Sequence, residues 1–340
     1  MTEMVLLTGI SGFLGSHIAL KLLNRGYRVR GSIRNLDRSD EVLKTLESHG
    51  GAIKNLELVA LDLTKDDGWS EAMDGIKYLQ HVASPFVTKM PKDKMELIRP
   101  AVDGTTRAIT AALAARVERI IVTSSMAAIM YKKDHDRSIP YSEKDWSDLD
   151  APSANYYTQS KTLAEKKAWE LMEEAGRRND LVTINPSLIL GPLLNKDPGT
   201  SGALVLRLLK GSIPAAPRFI FSMVDVRDVA EIHIKAMENK EAGGQRFATA
   251  SDNLSIMDMA NVIKAAYPQY RGKLPKFEMP DWVVRIYALF DSDVRSNIGE
   301  IGLERLIEAS RAKNLLGHEF ISSSEALIAT TKTIIEQKLA

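Results

Sequence analysis

The sequence contains no cysteine in its 340 residues, which excludes disulfides, thiolate metal sites and a cysteine nucleophile. An excess of charge of one sign is also lacking, because 45 basic residues face 44 acidic ones. No charge imbalance therefore points to nucleic acid or to an anionic membrane as a partner. We expect no metal, no nucleic acid and no membrane to be bound.

Long hydrophobic runs are missing at the start of the chain. The apolar run before Thr8 has only four residues, Met4–Leu7, and no basic leader comes before it. This layout matches neither a signal peptide nor a membrane span. We therefore expect a cytoplasmic protein with two domains, or with one large α/β domain and a smaller appendage.

The first two-thirds of the chain instead alternates short apolar runs with amphipathic stretches. The predicted strands are Val5–Thr8, Arg28–Ile33, Leu56–Leu61, Tyr78–Ala83, Arg119–Ser124 and Leu181–Asn185. The predicted helices are Leu14–Arg25, Val42–His49, Trp69–Met73, Leu97–Ala115 and Tyr157–Ala175. Strands that alternate with helices predict βαβ units and a parallel sheet covered on both faces.

The pattern changes after Pro186. Gly-Pro, Pro-Gly and Ile-Pro breaks between residues 191 and 217 predict loops around a short helix near 204–209. A strand-like piece at 219–224 then runs into a predicted helix at 226–239, and helical patterns return past Ser251. We assign this later part to a second region over the C-terminal edge of the sheet.

Residues 8–15 read TGISGFLG, between the first predicted strand and the first predicted helix. In such a turn Gly9 permits a tight bend, Gly12 lets a diphosphate approach the backbone, and Gly15 lets the helix pack closely on the strand. The helix N-terminus adds unpaired N–H groups and a partial positive charge. A purely structural glycine turn is the alternative, but the position at the start of the βαβ series favours dinucleotide binding.

The end of the second predicted strand bears on the choice of cofactor. An acidic residue there would hold the ribose 2′-hydroxyl of NAD, whereas an arginine accommodates the 2′-phosphate of NADP. The strand ends RGSIR, with no acid before Asp37. Arg34 can form a charge-assisted fork with a phosphate, although a solvated surface arginine is common. Because the acid is missing as well, the sequence favours NADPH.

Tyr157 and Lys161 lie four residues apart and so share one face of a predicted helix. A free phenol, with a pKa of about 10, is a poor proton source, and a neighbouring ammonium group lowers such a pKa. A tuned tyrosine can protonate a carbonyl oxygen as hydride reaches the carbon, or run the reverse step. Ser125, at the end of the fifth predicted strand, would donate a hydrogen bond to that oxygen.

A Y-x-x-x-K pair alone is common on exposed helices. It gains weight here because it follows a strand-end serine and a dinucleotide-type turn. Asp62 and Leu63 follow the third predicted strand, where they can bracket an adenine, or Asp62 can be a helix cap or turn residue. For His81, at the end of the fourth predicted strand, we favour a packed, hydrogen-bonded residue.

Together these residues resemble the extended short-chain dehydrogenase/reductase family, and most of all its dihydroflavonol-reductase and ketoreductase group. The segments that carry the resemblance, in the order of that group, are TGISGFLGSHIALKLLNRGYRVRGSIR, HVASP, VTSS, SEKDWSDLD, YYTQSKTLAEKKAW, INPSLILGP, VDVRDVAEIH and LGHEF. The resemblance implies an α/β fold with a Rossmann-type, doubly wound parallel sheet over 1–186 plus about 219–250. It implies a smaller, mainly helical substrate-binding region at the C-terminal side, over 187–218 and 251–340.

The resemblance also implies an NADPH-dependent reductase of aldehydes and ketones, reversible as an alcohol dehydrogenase, with Ser125, Tyr157 and Lys161 as catalytic residues. The expected contacts with NADP(H) are Gly9, Ser11, Gly12, Phe13, Leu14, Gly15, Arg34, Asp62, Leu63, Val82, Ala83, Ser84, Thr123, Ser124, Tyr157, Lys161, Pro186, Ser187 and Leu188. Lys161 would touch the nicotinamide ribose. Phe86, Met126 and Tyr156 are expected in the wall of a pocket for a small carbonyl or alcohol.

Departures from the family narrow these expectations. Plant cinnamoyl-CoA enzymes carry Asn-Trp-Tyr-Cys-Tyr-Gly-Lys where this chain has Asn155-Tyr156-Tyr157-Thr158-Gln159-Ser160-Lys161, which argues against that substrate. A nucleotide-sugar epimerase or dehydratase with bound NAD is the alternative, which Arg34 and the lack of an obvious acidic pair after Ser125 disfavour. A redox-sensing binding protein would be marked by loss of Tyr157 or Lys161, and both are present. Either a monomer or a homodimer is expected.

Overall fold

A computed structural model describes residues 3–85, 91, 93–290, 294–295 and 298–340. The strands are β1 (Met4–Thr8), β2 (Arg28–Ile33), β3 (Leu56–Ala60), β4 (Tyr78–His81), β5 (Arg119–Thr123), β6 (Leu181–Pro186), β7 (Leu188–Leu190), β8 (Ile220–Asp225), β9 (Arg246–Thr249) and β10 (Asn253–Ser255). The helices are α1 (Phe13–Asn24), α2 (Ser39–Ser48), α3 (Trp69–Met73), α4 (Met95–Ala114), α5 (Tyr156–Glu174), α6 (Gly199–Leu209), α7 (Val226–Glu238), α8 (Ile256–Ala266), α9 (Asp281–Tyr287), α10 (Ser310–Leu316) and α11 (Ser323–Glu336).

The main sheet has seven strands, in the order β3-β2-β1-β4-β5-β6-β9, and every neighbouring pair is parallel. The chain builds outward from β1 to β3, then returns to the other side of β1 with β4. This reversal places a crevice outside the C-terminal ends of β1 and β4, where doubly wound sheets bind ligands. The predicted Rossmann-type, doubly wound parallel sheet is confirmed.

Both faces of this sheet are covered, and β1 shows why its sequence is apolar throughout. Val5 and Leu7 belong to one buried cluster, with residues of α1 and α7, whereas Met4 and Leu6 belong to the opposite one, with residues of α4 and α5. A strand with helices on both sides must be apolar at every position, because successive side chains point to opposite faces.

A smaller sheet, of order β10-β8-β7, lies beyond the main one, with β8 parallel to β7 and antiparallel to β10. Its cluster of buried side chains is shared with α6, α8 and α11. The sequence analysis missed β7, β9 and β10, which have only three or four residues each. It also grouped 219–224 with the first region, whereas β8 pairs with β7 and β10. The exact domain limits stay a prediction.

Two further observations concern the described ranges. No helix in them combines the length and the apolar character that crossing a membrane requires. In the same ranges, no three histidine, aspartate or glutamate side chains come together as a group that could hold a metal ion.

Candidate active site

The turn between β1 and α1 is packed so tightly that two of its glycines have no room for a side chain. Gly9 has a φ of +74°, and a Cβ added to it would lie 2.9 Å from the Cα of Ala83. A Cβ on Gly15 would lie 2.1 Å from the carbonyl oxygen of Gly9. Gly12 precedes α1 without a side-chain cap, and an added Cβ there would meet only the Gly9 oxygen, at 3.4 Å. The outer side of the turn is therefore bare backbone at a helix N-terminus.

Substituting Gly15 by alanine is expected to lower the free energy of unfolding by about 3 kcal/mol, because the new methyl group can fit only if backbone moves. Chemical denaturation of the purified protein measures this. Gly272→Ala is the matched control, since an added Cβ there meets nothing within 4 Å. Equal losses in the two variants would contradict the close packing of the turn.

The end of β4 is tied to β1 by the Thr8 hydroxyl. Its oxygen accepts hydrogen bonds from the backbone N–H groups of Val82 and Ala83, both at 3.1 Å, and lies 3.0 Å from Nδ1 of His81. With two N–H groups on the oxygen, the hydroxyl hydrogen is directed at Nδ1, so the neutral ring carries its proton on Nε2. Burial, and then the charge of Lys161, lowers the pKa of His81 to about 4. His81 is thus a packed, hydrogen-bonded residue, as the sequence analysis favoured.

A cleft that opens to solvent lies between the ends of β4 and β5 and helices α4 and α5. The sequence-predicted residues that line it are Leu63, Ala83, Ser84, Thr123, Ser124 and Lys161. Residues far apart in the chain therefore meet at the C-terminal edge of the sheet, where the strand order reverses.

Helix α5 carries the tyrosine and the lysine into this region. Its cap is Asn155, whose side-chain oxygen accepts a hydrogen bond of 3.0 Å from the N–H of Thr158. Tyr157 lies in the first turn and is 44% exposed. One turn later, the Nζ of Lys161 lies 5.9 Å from the centre of the Tyr157 ring and donates to Oγ of Ser84 at 3.0 Å. The ammonium group therefore lies between the phenol and the end of β4.

Ser125 and Ser124 point in different directions. The Oγ of Ser125 accepts a hydrogen bond from the N–H of Ala127 at 3.1 Å, and no described residue accepts the Ser125 hydroxyl hydrogen. That hydrogen is free to be donated to a ligand. The hydroxyl of Ser124 is instead donated to Glu165 Oε2 at 2.5 Å. A contact of Ser124 with a cofactor stays a prediction.

A second cleft lies beside the glycine turn and α2, and Ser11, Ser16, Arg38 and Asn195 are among the residues that line it. Arg34 is exposed at the end of β2. Sequence reasoning missed Arg38, which pairs with Glu41 at 3.0 Å; its only signal was its place four residues after Arg34. Two guanidinium groups therefore follow β2 within one short segment.

Asp62 behaves as a turn residue: it accepts the N–H and the hydroxyl of Thr64 at 2.9 and 2.8 Å, which hold the pKa of its carboxyl below the usual range. At the end of β6, the N–H of Ser187 donates to the carbonyl of Thr249 at 3.0 Å. The buried Oγ of Ser187 has no hydrogen-bond partner within the described part of the chain. A water molecule or a polar group of a ligand would satisfy this hydroxyl.

The three residues expected in the substrate wall differ in placement. Met126 is completely buried against Ile129 and Tyr141, and its contact with a substrate stays a prediction. Tyr156 is half-buried at the start of α5. Phe86 lies outside the described residues.

Comparison with known proteins agrees with this architecture. A family model described as the NAD dependent epimerase/dehydratase family matches residues 5–249. Among curated proteins, ketoreductase azaE of Aspergillus niger is 33% identical over 316 residues, which are 88% of this chain and 93% of the relative. Cinnamoyl-CoA reductase 1 of Petunia hybrida is 37% identical over 271 residues, which are 79% and 78% of the two chains.

Among solved structures, the yeast methylglyoxal/isovaleraldehyde reductase Gre2, complexed with NADPH, superposes with a TM-score of 0.80 at 26% identity, covering 98% of this chain and 99% of that one. The chain belongs to the NAD dependent epimerase/dehydratase family, within the extended short-chain dehydrogenase/reductases. The resemblance derived from the sequence motifs is thus confirmed. The relatives named here match most of this chain and are reductases. They support an enzyme that acts as a reductase on small molecules.

Proposed function

We propose that this protein is an NADPH-dependent reductase of aldehyde and ketone carbonyls, and that it also runs the reverse oxidation of alcohols. The observation that carries the proposal is the convergence on one cleft edge of Lys161, Ser84 and the end of β5, with Tyr157 one helical turn from Lys161. The reductases among the relatives, and the NADPH in the yeast structure, support the same reading.

The described residues fit a dinucleotide phosphate at three places. The bare backbone at Gly12 leaves room for a diphosphate at the N-terminus of α1, where N–H groups and the helix dipole favour an anion. Arg34 and Arg38 offer guanidinium groups for a 2′-phosphate. The unpaired Ser187 hydroxyl would meet a polar group beside Pro186 at the end of β6. When bound, NADPH supplies the hydride that reduces the carbonyl carbon.

The chain's own groups act on the oxygen of that carbonyl. The free hydroxyl hydrogen of Ser125 is donated to it and stabilises the negative charge that develops there. The phenol of Tyr157 gives its proton to the same oxygen, and the carbonyl becomes an alcohol. The ammonium group of Lys161, fixed by Ser84, balances the charge left on the phenol oxygen.

The proposal is tested by mixing the pure protein with NADPH and a panel of aldehydes, ketones and dihydroflavonols while the absorbance of NADPH is followed. We expect NADPH oxidation with aldehydes and ketones that have an apolar side. No oxidation with any of them, together with protein that purifies with bound NAD and converts a UDP- or dTDP-sugar, would instead support an epimerase or dehydratase.

Cofactor choice gives a separate prediction. Replacing both Arg34 and Arg38 by serine is expected to raise KM for NADPH about 10- to 100-fold and to leave KM for NADH nearly unchanged. A hydrogen bond to a charged group contributes about 1.5–3 kcal/mol, and each 1.4 kcal/mol is about tenfold in affinity. Steady-state kinetics with both cofactors measures the ratio.

Arg28→Ser is the matched control for this pair of substitutions. It removes a positive charge at the N-terminal end of β2, away from the crevice, whereas Arg34 and Arg38 follow the C-terminal end of that strand. An equal change in KM for both cofactors in the double variant would show that the two arginines do not discriminate the 2′-phosphate.

A further inference from the structure

One stripe along α5 carries Tyr157, Lys161 and Glu165, because each follows the previous one by four residues. The first two lie at the candidate active site. Glu165, one turn deeper, is only 1% exposed and lines the cleft together with Ser124 and Lys161. A buried carboxylate thus lies directly under the cleft, and the proposed reaction gives it no role.

One arginine forms an ion pair with this carboxylate. Arg246, on β9, donates from Nε to Glu165 Oε1 at 2.7 Å and from Nη2 to Oε2 at 3.3 Å. Burial by itself would raise the pKa of Glu165, but the charge and hydrogen bonds of Arg246, together with the hydrogen bonds from Ser124 and Asn185, outweigh it and hold that pKa below the usual carboxyl range. The group is therefore an ionised carboxylate at neutral pH.

Arg246 is itself held rigidly. Its Nη1 donates to the carbonyl oxygens of Glu143 and Asp145 at 2.8 and 2.6 Å, and its guanidinium carbon lies 3.7 Å from the centre of the Trp146 ring. These contacts hold the guanidinium group from the side opposite Glu165, so the carboxylate joins α5 to β9 at the edge of the sheet.

The Oε2 oxygen of Glu165 reaches the reacting end of the cleft. It accepts hydrogen bonds from Ser124 Oγ at 2.5 Å and from Asn185 Nδ2 at 2.7 Å. The same Asn185 amide group also donates to the backbone carbonyl of Ser125 at 3.2 Å. Two links therefore run from the carboxylate to the segment that presents the Ser125 hydroxyl.

We propose that Glu165, fixed by Arg246, is a positioning residue. It acts through Ser124 and Asn185 to hold Ser125 at a fixed position relative to Tyr157 and Lys161. The inference rests on the proposed function for its catalytic meaning, but the positioning itself is a statement about structure. Beyond its ion pair with Arg246, Glu165 accepts hydrogen bonds from Ser124 and from Asn185, which itself donates to the Ser125 carbonyl. Both contacts link the carboxylate to the Ser125 segment, which an ion pair needed only for stability would not require.

Asn185→Ala tests the proposal, because it cuts the link to Ser125 while leaving the ion pair intact. We expect kcat to fall about 10- to 100-fold, because even a small misplacement of a reacting group slows a reaction by this much. Kd for NADPH should stay nearly unchanged. We also expect faster amide hydrogen exchange in residues 124–128, measured by mass spectrometry. Ser124→Ala serves as the second variant and should show the same loss of kcat and the same faster exchange; Kd for NADPH is compared only in Asn185→Ala, because Ser124 is also an expected cofactor contact.

Trp169→Phe is the matched control. Its indole N–H donates to the other oxygen, Oε1, of the same carboxylate at 3.3 Å, on the side away from Ser125. It removes one hydrogen bond from Glu165 and should leave kcat and the exchange of residues 124–128 close to those of the unmodified protein.

Equal losses of kcat in Asn185→Ala and Trp169→Phe, or unchanged exchange in residues 124–128 of Asn185→Ala, would overturn the positioning role. The exchange measurement needs no substrate. An unmodified protein that reduces no carbonyl would refute the proposed function, while the exchange comparison would still decide whether Glu165 holds the Ser125 segment.

Discussion

Replacing Tyr157 by phenylalanine is expected to lower kcat for carbonyl reduction by a factor of about 10²–10⁴. The substitution keeps the ring but removes the hydroxyl that gives its proton to the carbonyl oxygen, while the glycine turn and the arginines after β2 are untouched. Stopped-flow or steady-state assays give kcat, and quenching of protein fluorescence gives Kd for NADPH. We expect that Kd to change little.

The control for this experiment is a tyrosine at the opposite end of the sheet. Tyr27 lies just before the N-terminal end of β2, and its phenol donates to Glu238 Oε1 at 3.0 Å. Tyr27→Phe removes a hydroxyl of the same kind far from the crevice, and turnover should persist. Full activity in Tyr157→Phe would overturn the proton-donating role.

Replacing Arg246 by methionine is expected to lower the free energy of unfolding by about 3–5 kcal/mol, because it leaves a buried carboxylate without its cation. The Glu165 and Arg246 side chains are 0% and 8% exposed, so solvent cannot take over the role of the partner. Urea denaturation at neutral pH measures the loss. The folded-state pKa of Glu165 lies below its unfolded value. The ion pair therefore stabilises the folded protein at pH values above the usual carboxyl pKa, and this stabilisation is lost as the pH falls through the folded-state pKa.

An exposed ion pair on the same helix provides the comparison. Lys167 and Glu170 are bonded at 2.9 Å, but their side chains are 30% and 54% exposed. Lys167→Met should cost no more than about 0.5 kcal/mol, since water screens and solvates the charge that remains. Similar losses in the two variants would show that burial does not set the strength of the Glu165–Arg246 pair.

Local patterns in the sequence were sufficient for most of the main sheet. Strands β1 to β6 were predicted in order, because short, partly apolar runs bounded by turns are a strong signal when helical periods separate them. The missed strands β7 and β10 have three residues each, too few for any periodicity to emerge. These strands exist because they pair with β8, which lies about 30 residues away in the chain. A short stretch of sequence does not show that pairing.

The candidate site divides in the same way. The glycine turn and the Tyr157–Lys161 pair were visible because their residues are close in the chain and the period of a helix puts them together. Glu165 offered a weak signal, as the next residue of that stripe, but its meaning depended on Arg246, 81 residues away. Nothing near Arg246 in the sequence indicates a buried cation, since an arginine in a short apolar run reads equally well as a surface residue.

The sequence by itself therefore determined the parallel α/β fold, the glycine turn between β1 and α1 and the face of α5 that carries the phenol and the ammonium group, since these follow from spacing within one or two elements. Only the tertiary structure decided which serine turns inward, which hydroxyl hydrogen stays free and which charge lies under the cleft. The physical reason is that hydrogen bonding and desolvation in the interior depend on which distant strands become neighbours, and these neighbours meet only when the sheet assembles and α5 packs on its face.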